Sequence, residues 1–477
     1  MELLMYSGGI LTLSAIAFFV RNKIVQVLAA SLFLVLQWAF NTFLLFNQGV
    51  VLMNYFKADS LALIFITVLS ITSIATVINS FVYFEKRKDK LLHRSVYLGS
   101  LIAFIGCMTG VFIAGNIFVM WILAEATTLC IAILIYHERH IESIEATWKY
   151  VFVSTIGLSF SFIGILLLDI AATGFGGNNL LFSKLANQAI NIDNALLFQI
   201  SFLMILIGFS VKMGVFPLHT VCIDAHSVAP SPVSAMISTS LMNVGFVALF
   251  RFYFIFAKTS LAGWIDHVLL IVGFLSILVA AVYMIKVKNY KRLIAYSSVE
   301  HMGLSAVGIA MGGVGCFAVI LHLILHSFTK AGIFFQVAQF IRMFKTKRIY
   351  GAGEYFRMNP FGGIVVLMAF FLILGIPPSG MFFTELMIFK AMIAGGYLWL
   401  CCIILLLMCF IIWIFGKNIL KILFQPVSDS VRAHAEKISF WESVPQFVLL
   451  VLALYIGIHP PEIIVTTIHD ALIYLPK

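Results

Sequence analysis

Charge is what this sequence has least of. Only 10% of its residues are Asp, Glu, Lys or Arg while 62% are hydrophobic, and soluble domains carry roughly a quarter charged residues. A water-soluble domain is thereby excluded, and the main solvent must be lipid. Cysteine chemistry is missing too. Cys107, Cys130, Cys222, Cys316, Cys401, Cys402 and Cys409 lie in or beside apolar stretches with no CxxC or zinc-type spacing, so they read as small apolar side chains rather than ligands or disulfides. There is no nucleotide fingerprint, iron–sulfur spacing or quinone-site signal, so any electrons of an associated redox enzyme run elsewhere. The net charge of +10 needs no nucleic acid to explain it, because basic residues gathered on one side of a membrane give the same balance. Leu3–Val20 has neither a basic leader nor a small-residue cleavage site and is expected to be a retained helix.

What is present is a long series of apolar runs, each near the 20 or so residues that a bilayer requires. They predict an all-α integral membrane protein forming one transmembrane domain over 1–477. About fourteen spans are expected, near 3–20, 24–46, 60–84, 95–113, 116–136, 149–172, 197–223, 232–256, 263–285, 294–312, 315–342, 362–393, 395–424 and 443–464. Basic residues support this count. Of the 30 lysines and arginines, 22 fall after odd-numbered spans, in groups such as Lys86–Arg94, Lys286–Arg292 and Arg342–Arg357. Lys57, Lys184, Arg251, Lys258 and Lys477 fall on the other side. Odd-numbered connections are therefore expected to be cytoplasmic, with both termini on the outer face.

The three remaining lysines, Lys212, Lys330 and Lys390, lie within spans, as do several acids and histidines. An ionisable residue at the bilayer centre costs about 2.5–3.5 kcal/mol on insertion scales and usually lines an ion or substrate path. Glu125 is mid-way along span 5 and Lys212 lies in span 7. His322, His326 and Lys330 recur every four residues in span 11, on one helical face, and Glu385 lies in span 12. A single buried ion pair can be merely structural, but so many groups on four spans would carry a large insertion cost without a use. The histidine pair suggests a haem or metal site only if another span supplies a partner, and no second matched pair occurs; no cofactor and no metal is expected. Lys390 is the bland case, a long side chain near a span end that can snorkel.

Two spans also carry helix breakers beside these charges. Pro217 follows Lys212 by five residues, and Pro377-Pro378 precedes Glu385 by seven. Proline within a span frees backbone groups that neighbours or water must satisfy, and a broken span near a charge in each half points to inverted repeats. The repeats are expected over 95–256 and 263–424, with spans 7 and 12 broken.

At these residues the sequence resembles the antiporter-like membrane subunits shared by respiratory complex I, Mrp-type cation/proton antiporters and energy-converting nickel–iron hydrogenases. Trp121 and Glu125 match that family's span 5 motif. Lys212 followed by FPLHTVCIDAHSVAPSPVSA, which includes Pro217 and His219, matches its span 7–8 motif, without the usual Trp-Leu-Pro. NYKRLIAYSS has Asn289 in place of the usual Asp, and HLILHSFTKA matches span 11. DAHSVAPSPVSAM and AYSSVEHMGLS look most like the F-type subunit of hydrogenase-4. The resemblance implies a prokaryotic cytoplasmic-membrane subunit. It would pass protons, with Na⁺ as the alternative ion, through two half-channels joined by a polar axis, with other membrane subunits and a peripheral redox arm as partners. Lipid would surround it, and nucleic acid is no partner. Ser238 stands where complex I relatives often place His or Lys, and water or His301 would have to bridge the relay there. An independent or Mrp-type Na⁺/H⁺ antiporter and an inert scaffold for a peripheral complex are the rival readings; the buried charges oppose the scaffold.

Overall fold

The protein is described here by a computed structural model covering residues 1–87, 90–173, 180–188 and 194–473. It opens with α1 (Glu2–Phe19) and α2 (Lys23–Phe46), followed by a two-stranded antiparallel hairpin, β1 (Val51–Leu52) with β2 (Phe56–Lys57). The hairpin was not expected from the sequence; Met53 and Asn54, both at positive φ, turn it. Next come α3 (Ser60–Arg87), α4 (Leu91–Ile113), α5 (Ile117–Tyr136), α6 (Ile141–Thr173) and the short α7 (Phe182–Gln188). The centre of the chain holds α8 (Ala195–Met213), α9 (Thr220–Val228), α10 (Ser231–Met236), a π-helical turn (Ile237–Leu241), α11 (Met242–Phe256), α12 (Ala262–Met284), α13 (Tyr290–Ala310) and α14 (Gly313–Phe344). The remainder is α15 (Tyr355–Met358), α16 (Pro360–Ile373), α17 (Gly380–Ala394), α18 (Leu398–Phe424), α19 (Asp429–His434), α20 (Val444–Ile458) and α21 (Glu462–Leu472).

Among the described residues, twelve helical stretches are long and apolar enough to cross a membrane. The other two expected crossings fail that test for physical reasons. α13 carries Ser297, Ser298, Glu300, His301 and Ser305, and it is buried throughout from Leu293 to Ala310; neighbouring helices, not lipid, form its surroundings. The span expected at 362–393 is two shorter helices, α16 and α17, with Pro377 and Pro378 in the gap. The span expected at 197–223 is likewise α8 and α9, divided by Gly214 in the left-handed region and by Pro217. Both breaks are therefore where the prolines predict them, since proline cannot donate to a helical ladder.

Some expectations change. Helix α13 begins at Tyr290 rather than 294, because Asn289 caps it by accepting from the Lys291 N–H at 2.9 Å. Lys291, counted as a cytoplasmic loop residue, is buried and donates to the Ala229 carbonyl at 2.6 Å. Arg251, counted on the outer side, is buried in α11 and pairs with Asp59 at 2.9 Å. Lys88 and Lys477 lie outside the described residues. The last expected span, 443–464, ends as α20 at Ile458, and α21 begins beyond Pro460-Pro461.

Helices approach closely where glycine removes the side chain, the usual membrane solution. A Cβ on Gly208 of α8 would stand 2.5 Å from the Gly157 carbonyl of α6, and one on Gly273 of α12 would stand 2.6 Å from the Gly303 carbonyl of α13. Large apolar side chains of α1, α2, α6 and α18 face outward, whereas α10, the π-turn, α11, α13 and most of α14 are enclosed. The enclosed helices carry the polar residues.

Candidate functional site

Lys212 occupies the last turn of α8, fully buried, just before the break. Its ammonium donates to Thr128 at 2.7 Å, to Thr127 at 3.0 Å and to the Tyr150 hydroxyl at 3.5 Å. Glu125, the partner expected for it, is not in that shell. Its carboxylate accepts from Thr155 of α6 at 2.8 Å, its other oxygen has no partner, and the residue is only half-buried on the α5–α6 flank. No ion pair joins Glu125 to Lys212 among the described residues. Two threonines, one turn beyond Glu125, hold the lysine instead. α11 reaches the same place because Gly245 lies against the backbone of Lys212 and Met213. His219, beyond Pro217, is buried with an unpartnered Nδ1 and stacks on Phe216 at 6.3 Å.

The second group is denser. His322, His326 and Lys330 share one face of α14 and are all fully buried. Lys330 donates to the Ile294 carbonyl at 3.0 Å and to the Ser297 hydroxyl, both on α13. One turn along α13 from Ser297 are Glu300 and His301, both buried. His301 Nδ1 lies 3.2 Å from His322 Nε2, and the His301 ring centroid is 5.3 Å from that of His326, whose two nitrogens have no partner. His322 Nδ1 is 2.8 Å from the Thr384 hydroxyl on α17. Glu385 follows on the same helix; it is buried, packs against Gly375 in the break, and has an unpartnered Oε1. Ligating atoms of His301, His322 and Glu385 all lie within 4.8 Å of one another. Pro377 and Pro378 are themselves exposed, and Ser379 after them caps α17 by accepting from Phe382 at 3.2 Å.

Ser238 sits on the π-turn, and its hydroxyl meets that of Ser298 at 2.7 Å. A serine pair, rather than His301, therefore joins the π-turn to α13. π-turns inside helices are frequent at functional sites. Nearby, Asn243 donates to Ser327 at 2.9 Å, beside His326. His226 of α9 is buried with both nitrogens unpartnered and stacks on Phe334 of α14 at 5.0 Å.

Of the residues singled out in the sequence, His301, His322, His326, Lys330 and Glu385 converge on α13, α14 and α17, while Lys212 and Glu125 belong to a separate group. Sequence reasoning missed Glu300 as a charged member of the cluster, the Thr127–Thr128–Tyr150 cradle, and His226. Glu300 had a signal: an acid beside a histidine in a stretch too polar to face lipid. Two adjacent threonines in a span carry no such signal.

The family model described as NADH:quinone oxidoreductase/Mrp antiporter, TM, matches residues 114–411. A hydrogenase-4 component F homolog of Methylacidiphilum infernorum is 31% identical over 385 residues, which is 78% of this chain and 80% of that one. A chain of the membrane-bound sulfane sulfur reductase, an archaeal respiratory membrane complex, superposes with TM-score 0.86 at 22% identity, covering 99% of this chain and 97% of its own. A chain of the Mrp complex from Dietzia sp. also gives TM-score 0.86, at 15% identity, again covering 99% and 97%. These two likenesses concern the fold.

Proposed function

Because the chain belongs to the NADH:quinone oxidoreductase/Mrp antiporter transmembrane family, we propose that it is the proton-translocating membrane subunit of a respiratory- or hydrogenase-type complex. The observation that carries this reading is the run of buried polar groups from Lys330 and Ser297, through Glu300, His301 and His322, to Thr384 and Glu385. Such groups at bilayer depth are costly and mark ion paths. The histidines exchange protons through Nδ1 and Nε2, and Lys330 and Glu385 are the titratable ends. In this reading residues 95–256 and 263–424 are inverted repeats. Each contributes one half-channel beside its broken helix, with Lys212 and Glu125 in the first and Glu385 ending the second.

Glu125 and Lys212 approach and separate as α5 and the broken α8 move, and this loads or releases a proton at Lys212. A proton crossing the membrane gains or loses about 2.3 kcal/mol per 100 mV, which is within reach of such rearrangements. Redox chemistry in partner subunits drives them. The odd-numbered connections face the cytoplasm and the termini face outward.

Glu385→Gln tests the assignment, since it keeps size and polarity while removing the charge. Assembly should be normal and proton translocation by the complex should fall to background. Normal pumping by this variant would remove Glu385 from the path. Na⁺-driven proton movement by the chain alone in vesicles would instead favour an Mrp-type antiporter, the reading that the Dietzia likeness keeps in view.

A further inference from the structure

We propose that His301, His322 and Glu385 form a binding site for a divalent transition-metal ion of the zinc class. The sequence pointed away from this, because the span 11 histidines lacked a partner on another helix. The structure supplies two, one from α13 and one from α17.

The arrangement suits a metal centre in its nitrogen–nitrogen distance and in the hydroxyl behind His322. Zinc bonds imidazole nitrogen at about 2.0–2.1 Å in a tetrahedron, whose nitrogen–nitrogen edge is then about 3.3 Å; His301 Nδ1 and His322 Nε2 stand 3.2 Å apart. The Thr384 hydroxyl donates to the Met381 carbonyl at 2.9 Å, so it accepts from His322 Nδ1–H and leaves the His322 Nε2 lone pair facing His301. The Glu300 carboxylate lies 3.9 Å from His301 Nε2, beyond hydrogen-bond reach, and that nitrogen has no partner among the described residues. With its proton on Nδ1, His301 simply donates to His322 Nε2; with the proton on Nε2, both lone pairs face the space between the rings, as metal ligands do. An outer-shell oxygen that fixes the tautomer of a ligating histidine, as Thr384 does for His322, is a usual support of a metal site. Glu385, whose Oε1 has no partner, provides the third ligand. The His326 ring, whose nitrogens have no partner among the described residues, packs on His301 with its centroid 5.3 Å away. Two imidazoles and one carboxylate suit zinc, cobalt or nickel; Na⁺ and Mg²⁺ favour all-oxygen sites.

A bound ion would occupy the nitrogens and the carboxylate through which the proposed relay runs, so metal binding and proton passage exclude each other in time, and the site is tested without translocation. The full chain, purified in detergent with a tag that contains no histidine, is titrated with Co²⁺. One ion per chain with a tetrahedral visible spectrum is expected, displaced by Zn²⁺ and not by Mg²⁺. His322→Gln and Glu385→Gln should lose that spectrum while eluting as monodisperse protein, and the surface control His459→Gln should keep it. Should either ligand variant aggregate, Thr384→Val decides: removal of the outer-shell bond should weaken Co²⁺ binding by roughly 10- to 100-fold. Wild-type protein giving only an octahedral spectrum, His322→Gln retaining the tetrahedral one, or Thr384→Val binding at unchanged affinity would each overturn the site.

Discussion

Lys212 shows how a membrane-buried cation is kept without a counter-charge in contact. Three hydroxyls surround its ammonium, and hydrogen bonds to charged groups contribute about 1.5–3 kcal/mol each. Lys212→Ala should therefore abolish translocation and leave insertion intact, and wild-type pumping in that variant would sink its assignment. Thr128→Val is the finer probe. It removes the 2.7 Å bond at nearly constant volume, and should lower both the thermal stability of the purified chain and the translocation rate. His326 is the opposite case. Its ring nitrogens have no hydrogen-bond partner among the described residues, and His326→Ala removes the packing of a buried large side chain, a loss of about 2–5 kcal/mol. His326→Gln restores most of that volume. If the ring is on the path, translocation stays lost in both variants while the melting temperature recovers in Gln; pumping that recovers along with stability would make His326 structural.

Among the helices, the broken ones depend on close backbone contact. α11 passes the end of α8 only because residue 245 is glycine: a Cβ there would lie 2.2 Å from the Met213 nitrogen and 2.6 Å from the Lys212 carbonyl carbon. Backbone cannot give way as a flexible side chain can. Gly245→Ala should cost about 1–3 kcal/mol, the usual scale of overpacking, and should displace Lys212 from its threonines. A thermal melt together with a translocation assay reads both effects, and an unchanged melt would show that α11 has room to move. The prolines marked where spans 7 and 12 divide, since the missing N–H is a local property legible in sequence. The π-turn was not legible there. An extra residue per turn at Ile237–Leu241 answers to the packing of Ser238 against Ser298 on a helix some sixty residues away.

For the whole molecule, orientation follows from where charge is left in water. A single cysteine placed at Lys288, in a chain otherwise stripped of reactive cysteines, should be labelled from the cytoplasmic side of intact cells only after permeabilisation. Labelling from outside would invert the topology. Lys390, exposed near the end of α17, should tolerate neutralisation with little change in translocation, as a snorkelling lysine would. Ionic contacts gather where water is available: Arg342 pairs with Glu442 and with Glu436, and Lys86 reaches Glu442 at 3.6 Å, joining α3, α14 and the segment before α20. Residue type alone determined the solvent, the approximate number of crossings, the broken spans and the candidate side chains of α14 and α17, because the cost of charge and of proline in lipid is local and large. Which of those side chains meet was decided only by tertiary structure. Glu125 and Lys212, paired by expectation, make no ion pair among the described residues, and Thr127 and Thr128, which no charge pattern announces, hold the lysine. His301 and Glu300 join α14 because α13 is wrapped on all sides by other helices, and that enclosure is what allows so polar a helix to lie within a membrane.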